Sequence, residues 1–177
     1  MNDMILKNNG MKNVCCFIGH REIDETQELK TELWKTIEML IVGECVDTFL
    51  FGSKSRFNSL CYEIVTQIRE KFPHIRRIYV RGEFPVIDDA YKTYLLEKYE
   101  DTFYPEGIVG AGPAVYVERN YEMIKKSKFC IFYFREDCTP KGRKSGTRTA
   151  LNYAIKRHRK IYTFPFLRSE AQDVIKG

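Results

Sequence analysis

VCCFIGHRE, residues 14–22, decides how the rest of the chain is read. Its apolar run, Val14 to Ile18, has no polar break and stops at Gly19. A strand with one wet face alternates apolar and polar side chains. A run without alternation belongs to a strand buried on both faces. Four other segments have the same form: TFLF at 48–51, ending at Gly52, RRIYV at 76–80, FCIFYF at 129–134 and KIYTFP at 160–165. Between them the period changes. Leu29, Leu33, Ile37, Leu40 and Ile41 recur at helical spacing within 26–42. Phe57, Leu60, Ile64, Val65, Ile68 and Phe72 do so within 55–72, where Pro73 stops the helix. Further helices are predicted at 88–99, at 116–126 and from Gly146 onward. Strand and helix alternate, which predicts a doubly wound α/β domain over 14–167, with a mostly parallel sheet of about five strands and helices on both faces. A flexible leader, 1–13, and a polar tail, 168–177, are expected to flank it. PEGIVGAGP, 105–113, reads as a mobile loop because it holds three glycines and two prolines.

The 177 residues suit one domain, and 44% hydrophobic content is enough to bury a core. No apolar run has the length of a membrane span, and the first dozen residues lack a signal-peptide core. No membrane association is expected. The cysteines (Cys15, Cys16, Cys45, Cys61, Cys130, Cys138) form no CxxC pair and mostly sit in apolar runs, as free thiols of a reducing cytoplasm do. Neither Cys nor His shows ligand spacing, so no metal and no resident cofactor are expected. Nine basic residues against two acidic ones give 135–160 a charge of +7, and the rest of the chain sums to −2. Such a local field steers an anion, a nucleic acid or an acidic neighbouring subunit, and it also describes a solvated face.

In open parallel sheets, ligands bind beyond the carboxyl ends of the strands. Three strand ends here carry glycine beside polar residues: Gly19, His20, Arg21 and Glu22; Gly52, Ser53, Lys54, Ser55 and Arg56; and Ser145, Gly146 and Thr147, reached through a long loop. Glycine admits close backbone approach, and a helix N-terminus presents free N–H groups to an anion. Each residue also has a plainer use. Ser145 or Thr147 is a good N-cap, Gly19 and Gly52 end strands, and His20 suits a satisfied position at a core edge.

Four segments in order, CCFIGHRE, FLFGSKSRFNSLCYEIV, YVERNYEMIKKSKFCIFYF and KSGTRTALNYAIKR, resemble the SLOG superfamily of Rossmann-like nucleotide-binding proteins, and most closely its small bacterial members that begin with a Gly-His-Arg strand end. The resemblance spans nearly all of 14–165 and adds the Arg119–Asn120 pair to the site. Two departures matter. The second loop usually holds more glycine and an Asp after the Phe, where this chain has Asn58. The hydrolases of the superfamily carry a Glu after their Gly-Thr turn, where this chain runs Arg148, Thr149, Ala150.

A binding module is therefore the first expectation. Gly52, Ser53 and the 145–147 turn would hold anionic groups of a nucleotide or nucleotide-derived ligand. Arg21, Arg56 and Arg119 would neutralise it, and Phe57 or Tyr116 would stack on a base. The alternative is an enzyme that cleaves an N-glycosidic bond, as a hydrolase or a deoxyribosyltransferase, with Glu22 or Glu118 as its carboxylate. Nucleic-acid binding through 135–160 is a third reading and is not favoured, since a net charge of +5 is modest. A homo-oligomer is expected, with Tyr91, Tyr94, Tyr99 and Tyr104 at an interface or packing a lid.

Overall fold

A computed structural model describes residues 13–138, 142 and 144–165; the expected leader, apart from Asn13, and the tail lie outside the described residues. The six strands are β1 (Val14–Gly19), β2 (Thr48–Phe51), β3 (Arg76–Val80), β4 (Asp101–Phe103), β5 (Phe129–Tyr133) and β6 (Lys160–Phe164). They form one sheet in the order β4-β3-β2-β1-β5-β6, with every pair parallel. The helices are α1 (Gln27–Glu44), α2 (Arg56–Lys71), α3 (Asp89–Lys98), α4 (Val115–Lys126) and α5 (Gly146–Lys156).

The unbroken apolar runs have the two-sided burial they predict. Cys15 and Phe17 of β1 join Phe49, Phe51, Phe129 and Ile131 on one face, beneath Leu33, Ile37 and Leu40 of α1 and Phe57, Leu60 and Ile64 of α2. Cys16 and Ile18 join Leu50, Ile78, Val80 and Phe132 on the other, beneath Met123 and Ile124 of α4 and Ala150 and Ala154 of α5. Four of the helices start on side-chain caps that satisfy an otherwise orphaned N–H: Thr26, Ser55, Asp88 and Ser145.

The sixth strand, β4, was not expected. Asp101, Thr102 and Phe103 are too few and too polar to show an apolar run, and tertiary bonds place them. Thr102 Oγ1 donates to the Tyr79 carbonyl at 2.9 Å. The Glu100 carboxylate accepts from the Arg77 backbone N–H at 2.6 Å and from its guanidinium at 2.8 and 3.1 Å. The loop expected to be mobile, 105–113, is folded as two 3₁₀ turns, Glu106–Ile108 and Gly112–Ala114, with Ile108 buried in the interior. Its glycines are needed for conformation: Gly110 and Gly112 have φ of 81° and 56°. Of the four tyrosines assigned to an interface or lid, Tyr99 belongs to the core, with its ring centroid 5.0 Å from that of Tyr62 and 5.3 Å from that of Tyr79.

From β1 the chain builds β2, β3 and β4 outward on one side and β5 and β6 on the other. The order therefore reverses between β1 and β5, and the loops leaving their carboxyl ends part there to open a crevice.

Candidate functional site

A cleft of about 980 Å³ occupies that crevice. Its walls are the β1 end (Gly19, His20, Arg21, Glu22), the β2 loop (Ser53, Lys54, Ser55), Glu83 after β3, Tyr116, Arg119 and Asn120 of α4, and Lys144 to Thr147 at the start of α5. Three loops separated by long stretches of sequence thus converge, as the strand-end reading anticipates.

Arg119 is the centre of the site. It is 3% exposed, and among the described residues no carboxylate lies within ion-pairing distance. Its Nη1 donates to the Gly52 carbonyl, and Nε and Nη2 reach Asn120 Oδ1 at 3.3 and 3.2 Å. Its guanidinium lies 5.5 Å from the Tyr116 ring centroid. The stem passes the ends of β2 and β3 at two glycines. A Cβ on Gly52 would fall 2.9 Å from Nε, and one on Gly82 would fall 3.4 Å from Nη1. Burial pulls the guanidinium pKa below its ordinary value. Glu83 on the same wall acts on the guanidinium through space without ion-pair contact, and a buried cation with no contacting counter-charge carries an electrostatic cost.

The start of α5 supplies a second anion-facing element. Ser145 Oγ accepts the Arg148 N–H at 3.2 Å. Among the described residues no acceptor is assigned to the N–H groups of Gly146 or Thr147, and a Cβ built on Gly146 would meet nothing within 4 Å. Ser145 takes the third helical N–H and leaves the first two without a cap bond.

The β2 loop behaves differently. Ser53 Oγ donates to Ser55 Oγ at 2.8 Å, the Arg56 N–H goes to the Arg21 carbonyl at 2.8 Å, and the Gly52 N–H goes to Asn58 Oδ1 at 3.3 Å. These bonds take up the Ser53 hydroxyl and the Gly52 and Arg56 N–H groups, while Ser53, Lys54 and Ser55 still line the cleft. Asn58, 2% exposed, also donates from Nδ2 to the Phe17 carbonyl at 3.3 Å, so it ties the ends of β1 and β2 together.

Four of the sequence-predicted site residues do not face the cleft. Phe57 is completely buried, 5.7 Å from the Tyr133 ring, and is core rather than a stacking platform. Arg56 is held by Glu25 at 2.6 and 2.7 Å and by Glu63 at 2.9 Å, contacts that with Lys30 bring the Glu25 carboxyl down to about 2. Gly52 contributes its carbonyl to Arg119 and stands behind it. Glu118 lies on α4 outside the cleft wall. Gly19 is on the wall, but packing alone requires a glycine there: a Cβ would sit 2.3 Å from the Phe57 ring.

His20 joins the two sides of the switch point. Its backbone N–H donates to the Tyr133 carbonyl at 3.3 Å, and its Nε2 lies 2.9 Å from the Arg135 backbone nitrogen and 3.1 Å from the Arg135 carbonyl oxygen. Burial lowers its pKa, against the contact with the Arg135 backbone, which raises it.

Gly82, Glu83 and Lys144 complete the site and were not singled out from the sequence. The signal for Gly82 was available in part, since it stands one residue beyond the buried run of β3, where Gly19 and Gly52 follow theirs directly. The basic segment does not form one face. Arg135 pairs with Asp137 at 3.0 Å and Arg148 with Glu136 near the cleft. At the opposite sheet edge, Arg159 donates to the Ile124 carbonyl at 3.0 Å and Lys160 pairs with Glu44 at 3.0 Å. Lys141 and Arg143 lie outside the described residues.

Fold and cleft together define a doubly wound α/β protein with a polar crevice at its topological switch point. The chain is 33% identical over 69 residues to the UPF0728 protein C10orf53 homolog of Danio rerio, a match covering 36% of this chain and 71% of that protein. The chain belongs to the UPF0728 family. No family model matches it. Among the described residues no helix is long and apolar enough to cross a membrane, and no three His, Cys, Asp or Glu side chains are grouped to hold a metal ion.

Proposed function

We propose that the cleft binds a nucleotide or nucleotide-derived ligand, in the manner of the SLOG superfamily that the sequence resembles. One observation carries the reading: Arg119 is a buried guanidinium on the cleft wall with no carboxylate in ion-pair contact among the described residues, Glu83 acting on it only through space. Protein interiors rarely keep such a charge unpaired, and a ligand phosphate would pair it. Gly146 and Thr147, whose N–H groups have no acceptor among the described residues, and Lys144 line the same space. Tyr116, 51% exposed, offers a ring to a base while Arg119 covers part of it. Binding without turnover is the primary role, as a sensor or accessory protein of the cytoplasm. Self-association belongs to the proposal through the exposed Tyr94 and its stacked neighbour Tyr91.

Glu22 on the cleft wall supports a second reading, N-glycosidic bond cleavage or transfer. Free base released from nucleosides and nucleotides, with Glu22→Gln as the control, decides it. Base release lost in that variant establishes the enzyme; no release from any substrate removes it. Ligand binding itself is tested by the rise in unfolding temperature across a nucleotide panel, since a ligand that prefers the native state must stabilise it.

A further inference from the structure

Glu83 is a carboxylate in the cleft whose charge acts on Arg119 through space without touching it. It follows Gly82 at the carboxyl end of β3, and among the described residues it makes no ion pair or hydrogen bond. The turn that carries it is braced: Arg81 Nη1 donates to the carbonyls of Phe84 at 2.7 Å and Pro85 at 3.3 Å. Its neighbour Gly82 brackets both Arg119 Nη1 and Tyr116 Cδ1, each 3.4 Å from a Cβ built there. A carboxylate thus stands one residue from the point where the buried guanidinium passes, beside the ring proposed to receive a base.

An ionised carboxylate only accepts hydrogen bonds, and its two oxygens match two adjacent donors. It also repels a second phosphate, so this corner of the cleft selects a neutral donor group next to the anion. In a nucleotide the group next to the phosphate is the sugar, and the base lies beyond it. Resting on the nucleotide reading above, we infer that Glu83 reads the vicinal 2′,3′-diol of a ribose, so that the cleft prefers ribonucleotides to deoxyribonucleotides. The selection works by penalty as much as by attraction, because a ligand lacking one hydroxyl leaves a carboxylate oxygen desolvated and unpaired.

AMP and 2′-deoxy-AMP share base and phosphate and differ only in that hydroxyl. Titration calorimetry with each, on the wild type and on Glu83→Ala, tests the inference, with inorganic pyrophosphate as the sugar-free probe. The wild type is expected to bind AMP about tenfold more tightly than 2′-deoxy-AMP, the worth of one hydrogen bond to a charged group. In Glu83→Ala the two should converge, while pyrophosphate binding holds or tightens as a repelling charge is removed. Equal wild-type affinities overturn the role of Glu83 and leave anion binding standing. So does a preference that survives in Glu83→Ala. No binding of any of the three probes by the wild type overturns the anion reading itself and this inference with it.

Discussion

Arg119 donates to the backbone carbonyl of Gly52, and it reaches that oxygen because Gly52 has no side chain: a Cβ there would lie 2.5 Å from Met123 Sδ and 2.9 Å from Arg119 Nε. The strand-ending glycine that the sequence offered as a phosphate contact is a slot for the guanidinium. The cation placed through it, rather than the glycine itself, is the feature that faces the cleft.

Gly19 has a parallel role toward the core. Gly19→Ala should cost about 1–3 kcal/mol in urea unfolding, the usual range for overpacking, because the methyl would meet the Phe57 ring. Phe57→Leu in the same chain should recover part of that loss, as expected for residues in contact. Additive losses would show that the glycine is needed for another reason.

Asn58 cannot be exchanged for the Asp common in the resembling family. Its Nδ2 donates to the Phe17 carbonyl and its Oδ1 accepts the Gly52 N–H. Asn58→Asp removes the donor and buries a charge facing an oxygen. The expected destabilisation at neutral pH is about 3 kcal/mol by urea unfolding. It should shrink as the pH falls and the new carboxyl takes up a proton.

His20 makes stability fall on the acid side. Burial holds its folded pKa below the ordinary 6.5. Between those two values the unfolded chain binds a proton that the folded chain refuses, so stability rises with pH across that window. It is therefore lost as pH drops from 6.5 through the folded value, and His20 contributes no slope above 6.5. Urea midpoints at successive pH values, compared with His20→Gln, should show this slope in the wild type and its loss in the variant. The amide oxygen of the glutamine can still accept the Arg135 N–H, so the variant isolates the titration.

Gly146 separates a helix start from a ligand contact. A methyl there meets nothing within 4 Å among the described residues, so Gly146→Ala should leave stability unchanged or raise it by about 0.5 kcal/mol. The same methyl would occupy the space in front of the α5 N–H groups, so nucleotide affinity by calorimetry should fall. Unchanged affinity would move the ligand away from α5.

Most of the fold was legible because parallel strands buried on both faces must be apolar throughout, and VCCFI, TFLF and FCIFY are. β4 was not, since Asp101–Phe103 owes its place to Thr102 and to the Glu100–Arg77 contacts rather than to its own residues. The site was legible as a set of loops but not as individual side chains. Arg56 looks available until Glu25, thirty-one positions earlier, is brought against it. Phe57 looks like a platform until the sheet closes over it. Glu83 was not singled out, although Gly82 before it stands near the end of β3 as Gly19 and Gly52 stand at the ends of β1 and β2.

The account rests on Arg119 being a cation kept for a ligand. Arg119→Met keeps the stem and removes the charge, and its unfolding temperature should be measured with and without the nucleotide panel at millimolar concentration. The wild type should be stabilised by at least one nucleotide, while the variant remains folded and shows no rise with the same ligand. A wild type indifferent to every nucleotide, or a variant that keeps the full rise, would contradict the account.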